Sequence, residues 1–143
     1  TDEMTKMSVK YIKEKKPVLG AFIFDNPDHV GHDAGHDTPA YYANLKELDG
    51  YIGQIIQATK DAGIYENCIF IVTSDHGGID HGHGGKTLEE INTPFIIAGK
   101  GVKKGGEFQE SMMQFDCAPT VLEIFGLEGP QVWVGRSMSQ VFE

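Results

Sequence analysis

Residues 67–78 read NCIFIVTSDHGG, a continuous apolar run that ends in a polar Ser-Asp-His-Gly-Gly segment. An uninterrupted apolar run predicts a strand that is covered on both faces, as in a parallel sheet. Residues 18–24, VLGAFIF, form a second run of the same kind. We therefore predict two buried strands, Val18–Phe24 and Asn67–Thr73.

An amphipathic helix is predicted between these strands. Thr38 and Pro39 have the pattern of an N-cap followed by proline at the first helical position. Apolar residues then recur at steps of three and four, and the pattern ends near Gly63. A strand, a long helix and a second strand form a βαβ unit, whose crossover makes the two strands parallel.

The flanking segments extend the α/β pattern. Residues 1–16 have helical composition, Pro94–Ala98 predicts a short edge strand, and residues 108–115 predict a fourth strand. Asp116 is predicted to cap a further helix that Gly126 closes. The fold class predicted is therefore α/β, a single domain with a mainly parallel sheet and helices on both faces.

Charge and hydropathy exclude several classes of protein. The chain has 12 Lys and Arg against 21 Asp and Glu, a net charge of −9, so it lacks the basic face that a nucleic-acid partner requires. Its apolar runs are far shorter than the roughly 20 residues of a membrane span, so we expect no membrane partner. No signal peptide is visible at the start of the sequence. The two distant cysteines, Cys68 and Cys117, predict buried thiols rather than a disulfide.

The six histidines mark the predicted site. All lie between residues 29 and 83, in two clusters at residues 28–36 and 75–83, each after a predicted strand. The carboxyl ends of strands are where open α/β sheets place their ligands. Imidazole and carboxylate together suit zinc or a similar divalent cation. The alternative is a pair of solvated, His-rich loops that bind no ion.

Several motifs occur in a characteristic order: PDHVGH at 27–32, VTSDHGG at 72–78, HGG at 83–85 and TPFI at 93–96. In these motifs the chain resembles the alkaline phosphatase superfamily, and within it the type I phosphodiesterase/nucleotide pyrophosphatase branch. The segments FDCAPTVLEIFG (115–126) and VWVGRSM (132–138) also resemble the C-terminal parts of sulfatases. The resemblance implies that residues 1–143 are the C-terminal part of a larger catalytic domain with an alkaline phosphatase-like fold.

The resemblance also implies a site for two metal ions, commonly zinc. The ligands that it assigns to this chain are Asp28, His32 and His83 for the first metal, and Asp75 and His76 for the second. His81 is the alternative to His83. The family's nucleophile, a Thr or Ser, and one further Asp ligand are expected upstream of residue 1. No catalytic nucleophile is therefore expected in this chain.

Three polar residues near these ligands have less specific assignments. His36 and Lys86 are expected to bind substrate, with a structural role at the helix entry and a solvated loop lysine as the respective alternatives. His29 lies between two implied ligands and is expected to be exposed to solvent.

The implied activity is hydrolysis of a small-molecule phosphate ester by a phosphatase or phosphodiesterase, in the periplasm or outside the cell. A sulfatase with one calcium ion is the first alternative, although imidazole ligands favour zinc over calcium. The others are a non-catalytic metal-binding fragment and a cofactor-independent phosphoglycerate mutase, whose motifs match less well. Because an unpaired buried-type strand tends to associate, we also expect the chain to protect such a strand by self-association, by strand exchange or by folding the helix of residues 1–16 over it.

Overall fold

The computed structural model describes residues 2–143, which form two compact units. The first unit contains residues 2–68 and 76–94, and the second contains residues 69–75 and 95–143. Among the described residues, none of the helices combines the length and apolar character that a membrane span requires.

Two helices, α1 (Asp2–Lys15) and α3 (Pro39–Asp61), pack against each other and form the core of the first unit. The buried side chains at this contact are Ile12, Ile55, Ala58 and Ala62. Burying an isoleucine side chain stabilises a fold by roughly 1.5–3 kcal/mol, so this small cluster holds the helix pair together. The α1 helix confirms the helical prediction for residues 1–16 within the described residues.

The start of α3 confirms the predicted cap. The Thr38 side chain accepts a hydrogen bond from the Tyr41 backbone N–H at 3.3 Å, and Pro39 occupies the first helical position. The helix ends at Asp61, followed by Gly63 with a φ of 72°, a conformation that glycine adopts without strain.

A short helix, α2 (Asp28–Ala34), carries most of the first cluster of histidines and is absent from the sequence-based prediction. It begins after Pro27 and ends at Gly35, whose φ is 96°. Seven residues rich in His, Asp and Gly have little intrinsic helix propensity, so tertiary contacts and not local preference must favour this helix.

The predicted strand Val18–Phe24 is wrong: within residues 2–143 this segment has no strand partner. Phe22 and Phe24 pack against the helix pair, whereas Val18 and Ile23 are 86% and 82% exposed. A strand depends on hydrogen bonds to a neighbour, and an apolar run alone does not provide one.

In the second unit, β1 (Ile69–Thr73) pairs with β2 (Phe95–Gly99) in an antiparallel register, with Ile71 opposite Ile97. Both strands lie close to the predicted positions. The described residues form only this two-stranded sheet, so the mainly parallel sheet is not confirmed. Its prediction required Val18–Phe24 as the second parallel strand.

The rest of the second unit is organised around α5 (Cys117–Ile124), which confirms the predicted helix closed by Gly126. Residues 108–115 are not a strand, which corrects the fourth strand predicted there. They lead into the buried Asp116, whose carboxylate accepts the backbone N–H groups of Met113 and Arg136 at 2.8 and 2.9 Å. The two cysteines are free thiols, as predicted, but both are only partly buried, which corrects the expectation of full burial.

Candidate metal centre

The first part of the centre is α2, which places Asp28 and His32 four residues apart on one face. Asp28 lies in the first turn, where a negative charge is favoured by the helix dipole. The Asp28 Oδ1 and His32 Nε2 atoms are 3.4 Å apart.

The second part is the segment of residues 76–85, which is held by backbone hydrogen bonds. The Gly77 and Gly78 N–H groups donate to the carbonyls of Glu90 and Glu89, each at 2.8 Å. Ile79 and Gly82 exchange two hydrogen bonds of 3.0 and 2.9 Å and enclose a tight turn, which we call the 79–82 turn.

A short helix, α4 (Leu88–Ile91), anchors the far end of this segment. Thr87 and Glu90 form a capping box, and the Glu90 carboxylate also accepts the Gly85 N–H at 2.7 Å. Hydrogen bonds from Thr87 and Gly85 lower the pKa of Glu90, which is 9% exposed. Thr-x-x-Glu at 87–90 is the sequence signature of such a box, and the sequence analysis missed it.

The two segments converge on one oxygen atom. Asp28 Oδ1 lies 3.4 Å from His32 Nε2, 3.5 Å from His83 Nε2 and 3.9 Å from His76 Nε2. This oxygen is buried and has no hydrogen-bond partner among the described residues. The ligand atoms of Asp28, His32 and His83 all lie within 4.8 Å of one another.

These distances fit a metal ion. Ligand atoms about 2.0–2.2 Å from a tetrahedral zinc ion lie roughly 3.3–3.6 Å from each other. A buried carboxylate oxygen without a donor is otherwise unfavourable, and a cation among these four groups would satisfy it. The donor set of one carboxylate and several imidazoles is the set that zinc prefers.

The imidazole tautomers favour metal binding as well. The Nδ1 atom of His32 lies 2.8 Å from the His81 carbonyl, and the Nδ1 atom of His76 lies 2.7 Å from the Gly77 carbonyl. A carbonyl only accepts, so each Nδ1 carries the proton. In the neutral ring the Nε2 lone pair is then available to a cation.

Asp75 belongs to the second unit, where its backbone carbonyl accepts a hydrogen bond from the Gln114 side-chain amide. The group around Asp28 Oδ1 lies wholly within the first unit and includes His76.

His36 is held by the protein itself. Its ring lies against Gly31 and Gly78 so closely that a Cβ at either glycine would overlap it. Its Nδ1 donates to the Asp80 carbonyl at 3.1 Å, and its ring centroid is 5.2 Å from that of Tyr41. Burial and the nearby Asp28 raise the pKa of Tyr41, which is a neighbour of the site.

The remaining predicted residues lie at the surface. Lys86 and His29 are both exposed. The His81 ring contacts the backbone of α2, where its Nδ1 lies 3.0 Å from the His32 carbonyl.

Comparison with known proteins gives one family match and several relatives. A family model described as type I phosphodiesterase/nucleotide pyrophosphatase matches residues 1–115. A 2,3-bisphosphoglycerate-independent phosphoglycerate mutase of Cereibacter sphaeroides is 34% identical over 80% of this chain and 22% of its own length. Arylsulfatase K of Danio rerio is 33% identical over 61% of this chain and 18% of its own length. The chain thus spans about a fifth of either relative.

A solved structure shows the same fold. A Bacteroides thetaiotaomicron protein of the sulfatase type superposes with a TM-score of 0.72 at 17% identity, over 96% of this chain and 44% of that one. At this identity the likeness concerns the fold alone.

Proposed function

Because the chain belongs to the type I phosphodiesterase/nucleotide pyrophosphatase family of the alkaline phosphatase superfamily, we propose that it carries most metal ligands of a phosphoric ester hydrolase. The substrate would be a small-molecule phosphate ester, cleaved as a phosphatase or a phosphodiesterase cleaves it. The observation that carries the proposal is Asp28 Oδ1, a buried and partnerless oxygen within 3.4–3.9 Å of three imidazole nitrogens.

In this proposal Asp28, His32 and His83 hold one zinc ion, and Asp75 and His76 contribute to a second. A zinc pair supplies Lewis-acid stabilisation of the attacking and leaving oxygens of a displacement at phosphorus. The protein's own part is to hold the ligands: backbone carbonyls fix the tautomers of His32 and His76, and Glu90 fixes the segment that carries His83.

None of residues 1–143 is the nucleophile in this proposal. Covalent catalysis requires an activated hydroxyl next to the metals. We therefore propose that the 143-residue chain binds the metal and the phosphoryl group but hydrolyses a phosphate ester at or near the background rate. Robust turnover by the purified chain would place a nucleophile within it.

A sulfatase is the second candidate, favoured by the arylsulfatase K relative. The donor set separates the two. Calcium takes six to eight oxygen ligands, whereas the residues around Asp28 Oδ1 offer imidazole nitrogens.

Metal and anion binding by the full chain test the proposal. We expect zinc to bind at pH 7.5 and to be lost below about pH 6, because imidazoles must be unprotonated to bind. Calcium should not compete, and inorganic phosphate should bind the zinc-loaded chain more tightly than sulfate does. His83→Ala should weaken zinc binding at least about 10-fold, whereas His29→Ala should not. Equal losses in the two variants, or binding of calcium alone, would contradict the proposal.

A further inference from the structure

His32 and His81 are joined by two reciprocal hydrogen bonds. The His32 Nδ1 lies 2.8 Å from the His81 carbonyl, and the His81 Nδ1 lies 3.0 Å from the His32 carbonyl. Both acceptors are carbonyls, so both Nδ1 atoms are donors. Each residue therefore fixes the backbone of the other through its ring, across 49 positions of sequence.

The His32 carbonyl would otherwise lack a helical partner. It lies near the end of α2, where the last carbonyls have no N–H four residues later within the helix. The His81 ring supplies the missing donor and thereby ties the end of α2 to the 79–82 turn.

The 79–82 turn presents two carbonyls to the α2 segment. The Asp80 carbonyl accepts the backbone N–H of His36 at 2.7 Å and the His36 Nδ1–H at 3.1 Å. The next carbonyl, that of His81, accepts the His32 Nδ1–H. Asp80 has a φ of 48°, an uncommon value for a residue with a side chain, and it is part of the turn that presents these carbonyls.

We propose that His81 is a positioning residue. Its ring holds the His32 backbone in place, and its carbonyl holds the His32 ring, so that His32 Nε2 faces Asp28. The inference rests on the proposed function in one respect, that His32 is a metal ligand. A hydrogen bond to the second ring nitrogen of a metal-binding histidine sets its tautomer and orientation, and losing it costs about 10–100-fold in affinity.

The first measurement uses the metal-free chain. Imidazole ¹⁵N NMR at about pH 8 reports which ring nitrogen of His32 carries the proton. We expect a single Nδ1–H form in the unaltered chain and a mixture of both tautomers in His81→Ala. His81→Asn should retain the single form, because the Asn amide nitrogen occupies nearly the place of Nδ1 and still donates to the His32 carbonyl.

The second measurement is zinc affinity by competition with a chelator. The zinc affinity of His81→Ala should fall about 10-fold or more, and that of His81→Asn should stay within about 3-fold of the unaltered chain. His29 is an exposed histidine of α2, the helix that carries His32, and His29→Ala should bind zinc as the unaltered chain does. Should His81→Ala fail to fold by circular dichroism, His81→Gln replaces it, because its amide nitrogen corresponds to Nε2 and cannot reach the His32 carbonyl in the same way.

The two measurements separate the two hypotheses. If His81→Ala, or His81→Gln in its place, leaves both the His32 tautomer and the zinc affinity unchanged, the positioning role is wrong while the proposed function stands. If the tautomer changes as expected but the unaltered chain binds no zinc, the positioning role stands and the proposed function is wrong.

Discussion

Two carboxylates with buried oxygens, Asp28 in the first unit and Asp116 in the second, are surrounded in opposite ways. Asp116 is 2% exposed and accepts the backbone N–H groups of Met113 and Arg136. Asp28 Oδ1 is also inaccessible to solvent, but it accepts no hydrogen bond and faces the nitrogens of three histidines. The groups that face a carboxylate, and not its burial, therefore distinguish a structural residue from a candidate ligand.

The physical reason lies in what each neighbour offers. A backbone N–H is a permanent donor, so it satisfies the Asp116 charge in every state of the protein. An imidazole whose Nδ1 carries the proton presents a lone pair from Nε2, and a lone pair repels a carboxylate oxygen unless a cation lies between them. A cation between these groups would make the arrangement around Asp28 favourable.

The largest effect is expected for Asp116→Ala. Two buried N–H groups would lose their acceptor, at about 1–3 kcal/mol each, so the free energy of unfolding should fall by about 2–6 kcal/mol. Urea unfolding measures this change, with the exposed Glu128→Ala as the control. Zinc affinity should stay within about 2-fold. A loss below about 1 kcal/mol would contradict the structural role of Asp116.

Asp28→Asn should have the reverse effects, a large loss of zinc affinity and little loss of stability. Zinc affinity is expected to fall about 100-fold, or roughly 2.7 kcal/mol, because the anionic ligand is lost. The free energy of unfolding of the metal-free chain should change by less than about 1 kcal/mol, because Asp28 Oδ1 accepts no hydrogen bond that could be broken. If this variant destabilised the metal-free chain as strongly as Asp116→Ala, the distinction between the two carboxylates would fail.

Gly78→Ala tests how closely the metal-site segments pack. A Cβ at Gly78 would overlap the His36 ring, so we expect a loss of about 1–2 kcal/mol in the free energy of unfolding and weaker zinc binding. Gly50→Ala is the matched control, because a Cβ there meets nothing and the residue lies inside α3. The free energy of unfolding of this control should rise by about 0.5–1 kcal/mol. Equal changes in the two variants would show that the contact with His36 is unimportant.

The smallest effect on stability is expected from lowering the pH. The pKa of Glu90 is lowered from its ordinary value of 4.5 by hydrogen bonds from Thr87 and Gly85. Its contribution to stability is therefore complete above about pH 4.5 and is lost as the pH falls through the lowered value. Urea unfolding between pH 7 and pH 3 should show a decline that Glu90→Gln reduces. An identical pH profile in the variant would contradict the role of this carboxylate.

Local patterns in the sequence predicted the helices and strands that local chemistry determines. The Thr38–Pro39 cap, the periodic apolar residues of α3 and the helix after Asp116 were all found at or near the predicted positions. The two clusters of histidines contain the residues that the structure brings together around Asp28 Oδ1. Each of these signals lies within a few residues of the element that it predicts.

The missed features depend on contacts between distant residues. α2 and the 79–82 turn hold each other, so neither has a pattern of its own in the sequence. The parallel sheet was predicted from the apolar character of Val18–Phe24, but pairing needs a partner strand, and apolar character does not specify one.

The reciprocal bonds between His32 and His81 also bear on the order in which the protein folds. They close a loop of 49 residues, whose entropic cost must be met before any ligand group from the second segment can join the first. α3, which needs only local contacts, is expected to form early, and the completed ligand set late. In the unfolded chain the expected ligands of the two segments lie far apart in sequence, so we expect added zinc to bind the completed site last and to act mainly by slowing unfolding.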